Sequence, residues 1–278
     1  MVSPDQFIEH GDARLRFRSA GSGPAVLLIH GWALDLEMWD SQFAALAHAY
    51  RVIAFDRRGF GYSTGQPSIA DDVRDVLFLL DTLDVQSAAI VGMSQGARVA
   101  LRFALQSPQR ASCLVLDGPP PETSSAHGLS AEVPMTTYRR LARNQGMDAF
   151  RQQWIQHPLM HLQTDDTDVQ ASLLRIIGRY PGHDLLGLES PLSLLGDRLD
   201  AIAAPALFIN GEHDSAIRFA ASAAMRRLLP NTRAEIVPAA GHLPNLDNPA
   251  AYNQLLGEFL RIYGVPGVTA GPTTTTQH

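Results

Sequence analysis

The stretch Ala88-Ala89-Ile90-Val91-Gly92-Met93-Ser94-Gln95-Gly96-Ala97-Arg98-Val99-Ala100-Leu101-Arg102-Phe103-Ala104 runs from an apolar segment through a serine set between glycines into a helical pattern. The lead-in carries no polar side chain, as expected of a strand covered on both faces. The lead-out confines its charge to one stripe, Arg98 and Arg102, the pattern of a crossover helix packed on a sheet. Strand, turn and helix in immediate succession predict a nucleophile elbow, in which a sharp turn pushes the serine Oγ clear of the sheet and the glycines keep side chains out of the turn. Gly-x-Ser-x-Gly is a weak pattern by itself, and the chain holds a second copy, Gly61-Tyr62-Ser63-Thr64-Gly65. That copy follows the glycine-rich turn Arg58-Gly59-Phe60-Gly61 and soon meets Pro67, so no helix can start directly after it. Context therefore makes Ser94 the candidate nucleophile and Ser63 a loop or capping serine.

Outward from the elbow, short apolar runs alternate with helical patterns. Residues 26–30, 51–56, 87–93, 112–117, 206–210 and 234–238 read as strands, and 38–49, 69–83, 95–106, 217–229 and 249–263 as helices. The last helix has Asn248 as its cap, Pro249 in the first turn and Gly264 past its end. Such alternation predicts a parallel sheet with right-handed crossovers, preceded by an antiparallel hairpin at 7–10 and 15–19. Residues 119–195 break the rhythm with amphipathic helical pieces and prolines, and read as a helical cap inserted into a core of residues 1–118 and 196–265. The polar, low-complexity tail 266–278 reads as disordered.

Composition narrows the chemistry. The 278 residues carry 45% hydrophobic and 18% charged side chains, an ordinary globular balance. No apolar run reaches the length of a bilayer span, so no membrane partner is expected, and the N-terminus lacks a basic region followed by an apolar stretch, so no export signal is expected. The single cysteine, Cys113, excludes an internal disulfide and a thiolate-rich metal site and fits a reducing cytoplasm. A net charge of −6 without a basic cluster argues against nucleic acid as a partner. All 22 basic residues are arginine, which removes Schiff-base lysine chemistry and the phosphate-loop lysine. The histidines and carboxylates form no compact ligand set, and the pair His157 and His161 lacks the glutamate of a zinc-protease helix. Neither a metal nor an organic cofactor is expected, and no oligomeric state is written in the sequence.

A serine needs a base and an orienting acid, which in this kind of fold follow in the order serine, acid, histidine. His242, in the loop Ala239-Ala240-Gly241-His242-Leu243-Pro244-Asn245 after the last strand, is the candidate base. The strand at 206–210 ends in Gly211-Glu212-His213-Asp214, which makes Asp214 the candidate acid, with Asp117 at the end of an earlier strand as its rival. The oxyanion formed on attack needs two aimed N–H groups. One is the amide of Gln95, which follows the nucleophile and opens a helix, and the other is the amide of Trp32 in the loop after residues 26–30. His30 is expected to brace that loop by hydrogen bonding. In the cap, Trp154, Tyr138 and Arg139 are candidates to line a substrate pocket, with Arg139 or its neighbour Arg140 meeting a carboxylate or standing in solvent.

With these residues in place, the chain resembles the α/β-hydrolase superfamily along nearly its whole length. His30-Gly31-Trp32, Asp56-Arg57-Arg58-Gly59-Phe60-Gly61-Tyr62-Ser63, Gly92-Met93-Ser94-Gln95-Gly96, Gly211-Glu212-His213-Asp214 and Gly241-His242 match its landmarks in order. The resemblance implies a mostly parallel eight-stranded sheet with helices on both faces and a helical cap. Within the superfamily the chain is most similar to the capped, cofactor-independent branch of 3-oxoadipate enol-lactonases, arylesterases and non-metal haloperoxidases. Gln95 stands where many such proteins carry Met or Leu, and the loop at 30–32 lacks the extra glycines of carbon–carbon bond hydrolases. What this implies is cleavage of a small ester or lactone through an acyl-enzyme. Perhydrolysis or acyl transfer to another acceptor, carbon–carbon bond hydrolysis, and ligand binding without turnover are the alternatives.

Overall fold

The computed structural model describes residues 3–123, 132–187 and 193–264. The expected tail at 266–278 lies outside the described residues, as do parts of the expected cap. One eight-stranded sheet runs through the molecule in the order β1-β2-β4-β3-β5-β6-β7-β8. Its members are β1 (Gln6–His10), β2 (Ala13–Ala20), β3 (Ala25–Ile29), β4 (Arg51–Phe55), β5 (Ala88–Met93), β6 (Ala111–Asp117), β7 (Ala206–Gly211) and β8 (Thr232–Val237). The hairpin β1–β2 joins β4 antiparallel, and every pairing from β4 through β3 to β8 is parallel. This is the α/β arrangement expected from the alternation of strand and helix.

The uninterrupted apolar strands follow from burial on both faces. In β3, Val26 and Leu28 join one hydrophobic cluster, while Ala25, Leu27 and Ile29 join another on the opposite face. The first cluster takes in α1 (Asp40–Leu46) and the last helix, α9 (Pro249–Tyr263), and the second takes in α2 (Ile69–Thr82), α3 (Gln95–Gln106) and α8 (Ala216–Arg226). The helix expected at 38–49 is shorter than its apolar pattern. A 3-10 turn at Leu36–Trp39 precedes α1, because the Asp35 carboxylate caps Glu37 N–H and buried Asp56 accepts from Leu36 N–H. Between β6 and β7 the described residues hold no strand, and their regular elements are helical, with α4 (Met135–Gln145), α5 (Met147–Trp154), α6 (Thr167–Arg179) and α7 (His183–Leu186) joined by loops and 3-10 turns.

Strand order places the functional edge. The chain steps from β3 to β4 on one side, then returns to place β5 on the other, so the crevice at the carboxyl ends of β3 and β5 is a topological switch point where ligands bind in open α/β sheets. The register brings Ile29 opposite Gly92, Met93 opposite Asp117 and Gly211 opposite Val237, so the loops carrying Trp32, Ser94, Asp214 and His242 leave one edge together.

The second serine motif is a turn. Gly59, Gly61 and Gly65 adopt positive φ, and buried Ser63 donates from Oγ to the Asp56 carbonyl (2.7 Å) and accepts from Arg16 N–H (2.8 Å). Its hydroxyl therefore ties β2 to the end of β4. Ser63→Ala leaves both buried backbone groups unpaired and should lower the free energy of unfolding by about 1–3 kcal/mol. Urea denaturation checks this through a lowered midpoint at unchanged slope.

Candidate active site

Ser94 sits between β5 and α3 with φ +50° and ψ −113°, a backbone conformation that non-glycine residues rarely adopt. Its N–H donates to the Asp117 carbonyl (2.7 Å) and its carbonyl accepts from Ala97 N–H (3.0 Å), which fixes the turn from both sides. The two flanking glycines are required by close approach of backbone. A Cβ on Gly92 would lie 2.4 Å from the Gly96 carbonyl oxygen, and one on Gly96 would lie 2.3 Å from that of Ile29. The elbow and the end of β3 are thus in backbone contact, and a Cβ on Gly31 would meet the Met93 sulfur at 2.6 Å. This proximity places the Trp32 loop beside Ser94.

The loop at 30–32 is held by a neutral histidine. Arg57 N–H donates to His30 Nε2 (2.9 Å), so Nδ1 carries the proton and donates to the Gly31 carbonyl (2.7 Å). Complete burial, with the Arg57 charge adding to it, holds the His30 pKa well below its ordinary value. Among the described residues, neither the Trp32 nor the Gln95 backbone N–H donates to a protein acceptor, so both are available to a ligand. The Gln95 side chain is taken up instead: its Oε1 accepts from Arg57 Nη2 (2.6 Å), while Arg57 Nε donates to buried Asp72 (2.9 Å). Burial raises the Asp72 pKa to about 6 against the pull of Arg57.

Asp214 and His242 meet across the β7 and β8 loops, with His242 Nδ1 3.0 Å from Asp214 Oδ1. Asp214 also accepts from Asn210 Nδ2 (2.9 Å) and Ser215 N–H (2.8 Å), and Ser222 Oγ in turn donates to Asn210. Burial works to raise the Asp214 pKa. The charge and hydrogen bond of His242, the Asn210 bond and the nearby Arg218 outweigh burial and hold it below the ordinary value. The His242 loop is anchored by Asp247, which accepts from Gly241 N–H (2.7 Å) and from Gln163 N–H in the helical region (2.6 Å). His242 Nε2 is buried without a hydrogen bond among the described residues, and Ser94 Oγ accepts from Arg218 Nη1 (3.2 Å) rather than bonding to His242.

The rival acid is in a different state. Asp117 is completely buried, facing Tyr252, and burial together with the charge of Asp214 raises its pKa well above the ordinary value. Its carboxyl is thus pushed toward the neutral form while that of Asp214 is held toward the ionised form, and the histidine bonds to Asp214.

These groups open into one cavity of about 590 Å³, lined among others by Trp32, Ser94, Gln95, Arg98, Arg218 and His242 from the sheet side. Of the expected pocket residues, Trp154 and half-buried Arg139 line it. Tyr138 does not, which corrects the expectation for that residue. Its position on α4 turns the ring inward, where it packs edge-on to Phe150 and Trp154 and stacks near Trp32 in an aromatic cluster. Arg140 is exposed. The Trp32 ring is fixed from the helical region by Asp184, which accepts from its Nε1 (2.6 Å) and from the Tyr180 hydroxyl. Sequence reasoning missed Asn210, Arg218 and Glu132. Asn210 has a weak signature, a polar residue ending an apolar strand four before the acid, whereas Arg218 looks like any helix arginine.

The chain is similar to known proteins along most of its length. Residues 24–249 match the sequence profile of the α/β hydrolase fold family. A Bacillus subtilis protein named "Putative 2-succinyl-6-hydroxy-2,4-cyclohexadiene-1-carboxylate synthase" is 30% identical, the match covering 88% of this chain and 95% of that protein. The pimeloyl-[acyl-carrier protein] methyl ester esterase of Nitrosomonas europaea is 27% identical over 86% of this chain and 97% of its own. A thermophilic esterase from Thermogutta terrifontis superimposes with a TM-score of 0.79 at 26% identity, over 93% of this chain and 98% of the other. Among the described residues no helix is long and apolar enough to cross a membrane, and no group of three or more histidines, cysteines or carboxylates could hold a metal ion.

The state of Asp117 gives a pH test with a definite sign. An acid whose folded pKa lies above its unfolded value of about 3.9 binds more protons when folded, so its contribution to stability falls as pH rises through that window. Asp117→Asn removes this loss, so the variant should gain stability relative to the wild type between pH 5 and pH 8, measured by urea unfolding at both values. An ionised Asp117 in the folded protein would give no such gain.

Proposed function

Because the chain belongs to the α/β hydrolase fold family, we propose that it is a serine hydrolase that cleaves a small carboxylic ester or lactone through an acyl-enzyme, with Ser94, His242 and Asp214 as the triad. The observation that carries this reading is the strained Ser94 on the cavity wall, on the same sheet edge as a buried His242–Asp214 pair. In this mechanism the Ser94 side chain turns off Arg218 so that its Oγ can meet His242 Nε2, which has no hydrogen bond among the described residues. His242 takes the serine proton as Oγ bonds to the carbonyl carbon, and Asp214 holds the resulting imidazolium. The Trp32 and Gln95 amides receive the oxyanion. The intermediate collapses with cleavage of the ester C–O bond, the His242 proton passing to the departing alkoxide. Water then repeats the sequence on the acyl-serine, releasing the acid and restoring Ser94. Residues 119–195 serve as the cap that shapes the substrate end of the cavity, with Trp154 and Arg139 in its wall.

The esterases among the relatives support ester cleavage. The synthase name of the Bacillus subtilis relative shows that the same fold serves other chemistry, so the reaction rests on the site. Ser94→Ala should abolish turnover of p-nitrophenyl butyrate. His242→Ala and Asp214→Asn should each lower kcat by at least about 10³-fold, the scale of loss when a triad member is removed. Retention of wild-type turnover by Ser94→Ala overturns the assignment.

A further inference from the structure

We propose that Arg218 is the specificity-determining residue of this site, holding a carboxylate on the substrate within a few bonds of the carbonyl that Ser94 attacks. The proposal rests on the hydrolase reading and deepens it.

Arg218 is a buried arginine with 4% of its surface exposed, yet it lines the cavity. Its Nε donates to Glu132 (2.7 Å), and Nη1 donates to the Gly118 carbonyl (2.9 Å) and to Ser94 Oγ (3.2 Å). Among the described residues Nη2 makes no hydrogen bond. Glu132 also binds the Ser215 hydroxyl, next to the acid, so the guanidinium is held in one place from behind. Placing a fixed cation on the nucleophile opposes the proposed reaction by itself. Asp214 balances the imidazolium that forms when His242 takes the serine proton, and Glu132 balances part of the Arg218 charge. A substrate carboxylate on Nη2 takes the donor left open and draws the guanidinium toward itself, off Ser94 Oγ.

Arg98, four residues after Ser94, is a second cation lining the same cavity, its Nε 2.8 Å from Glu122. Burial together with the Arg218 charge lowers its pKa against the pull of Glu122. An anion that enters the cavity therefore meets two guanidinium groups. Reach sets the geometry. A charge-assisted bond to Nη1 or Nη2 spans about 2.8 Å, and an attacked carbonyl carbon lies about 3–3.5 Å from Oγ. With Nη1 already at 3.2 Å from Oγ, the carboxylate and the scissile carbonyl are separated by roughly two to four bonds. A half-ester of a short dicarboxylic acid has this form, as does a lactone bearing a carboxylate near its carbonyl.

The test compares monomethyl succinate with methyl succinamate, which have the same shape and differ in charge. The wild-type protein should favour the anionic ester in kcat/KM by roughly 10- to 100-fold, the scale of a hydrogen-bonded charge. Arg218→Gln should bring that ratio to within about threefold of unity, and Arg218→Lys, which keeps the charge but loses the fork, should retain part of it. Succinate should inhibit the wild-type protein at least about tenfold more strongly than succinamide does, a reading that needs no variant to fold. A wild-type ratio near unity, or a preference that survives Arg218→Gln, overturns the proposal while Ser94-dependent turnover of p-nitrophenyl butyrate leaves the hydrolase reading standing. Absence of any Ser94-dependent ester turnover overturns the hydrolase reading and this proposal with it.

Discussion

The backbone of Ser94 is the constraint on which the rest of the site depends. A positive φ at a non-glycine residue costs about 1–3 kcal/mol, and it persists only where its surroundings over-determine it. Here the surroundings are the Asp117 carbonyl on one side, Ala97 on the other, and glycines at 92 and 96 that admit backbone contact below 2.5 Å from a notional Cβ. The same contact presses the first turn of α3 against the end of β3, which puts the Trp32 loop beside the serine. The strain therefore sets three things together: the exposure of Oγ to the cavity, the direction of the Gln95 amide, and the distance to the neighbouring loop.

Around this elbow the protein uses arginine for every cationic task. Arg57 joins Asp72 to Gln95, Arg58 pairs with Asp75, and Arg16 reaches Asp5, Glu37 and Asp56. These buried pairs position loops more than they stabilise the fold, since desolvation offsets much of their attraction. Asp56 shows the balance, its pKa raised to about 7 by burial and by Asp35 despite the guanidinium of Arg16. Planar guanidinium groups can serve two or three acceptors at once, and Arg218 does so between Glu132, Gly118 and Ser94.

Much of the fold is legible in the chain because each level points the same way. The unbroken apolar runs at β3, β5 and β6 are what two-sided burial demands, and the helix after Ser94 starts without a break. Choosing between the two serine motifs needs only Pro67 and the glycine turn, and in the structure Ser63 spends its hydroxyl on backbone groups. The helical region is where sequence reading falls short. Tyr138, Phe150 and Trp154 share an amphipathic pattern, but whether a ring faces the cavity or its neighbours depends on helix rotation, which no local pattern sets. Arg218 is harder still. Its partners lie at positions 94, 118 and 132, and such long-range contacts between a helix arginine and a loop carbonyl leave no periodic trace.

The central claim is that Ser94, and not the matching serine at 63, is the nucleophile. The most direct measurement is reaction of the folded protein with a fluorophosphonate, followed by mass mapping of the modified peptide. The account predicts a single phosphonyl adduct on Ser94. An adduct on Ser63, or a folded protein that takes no label, contradicts it.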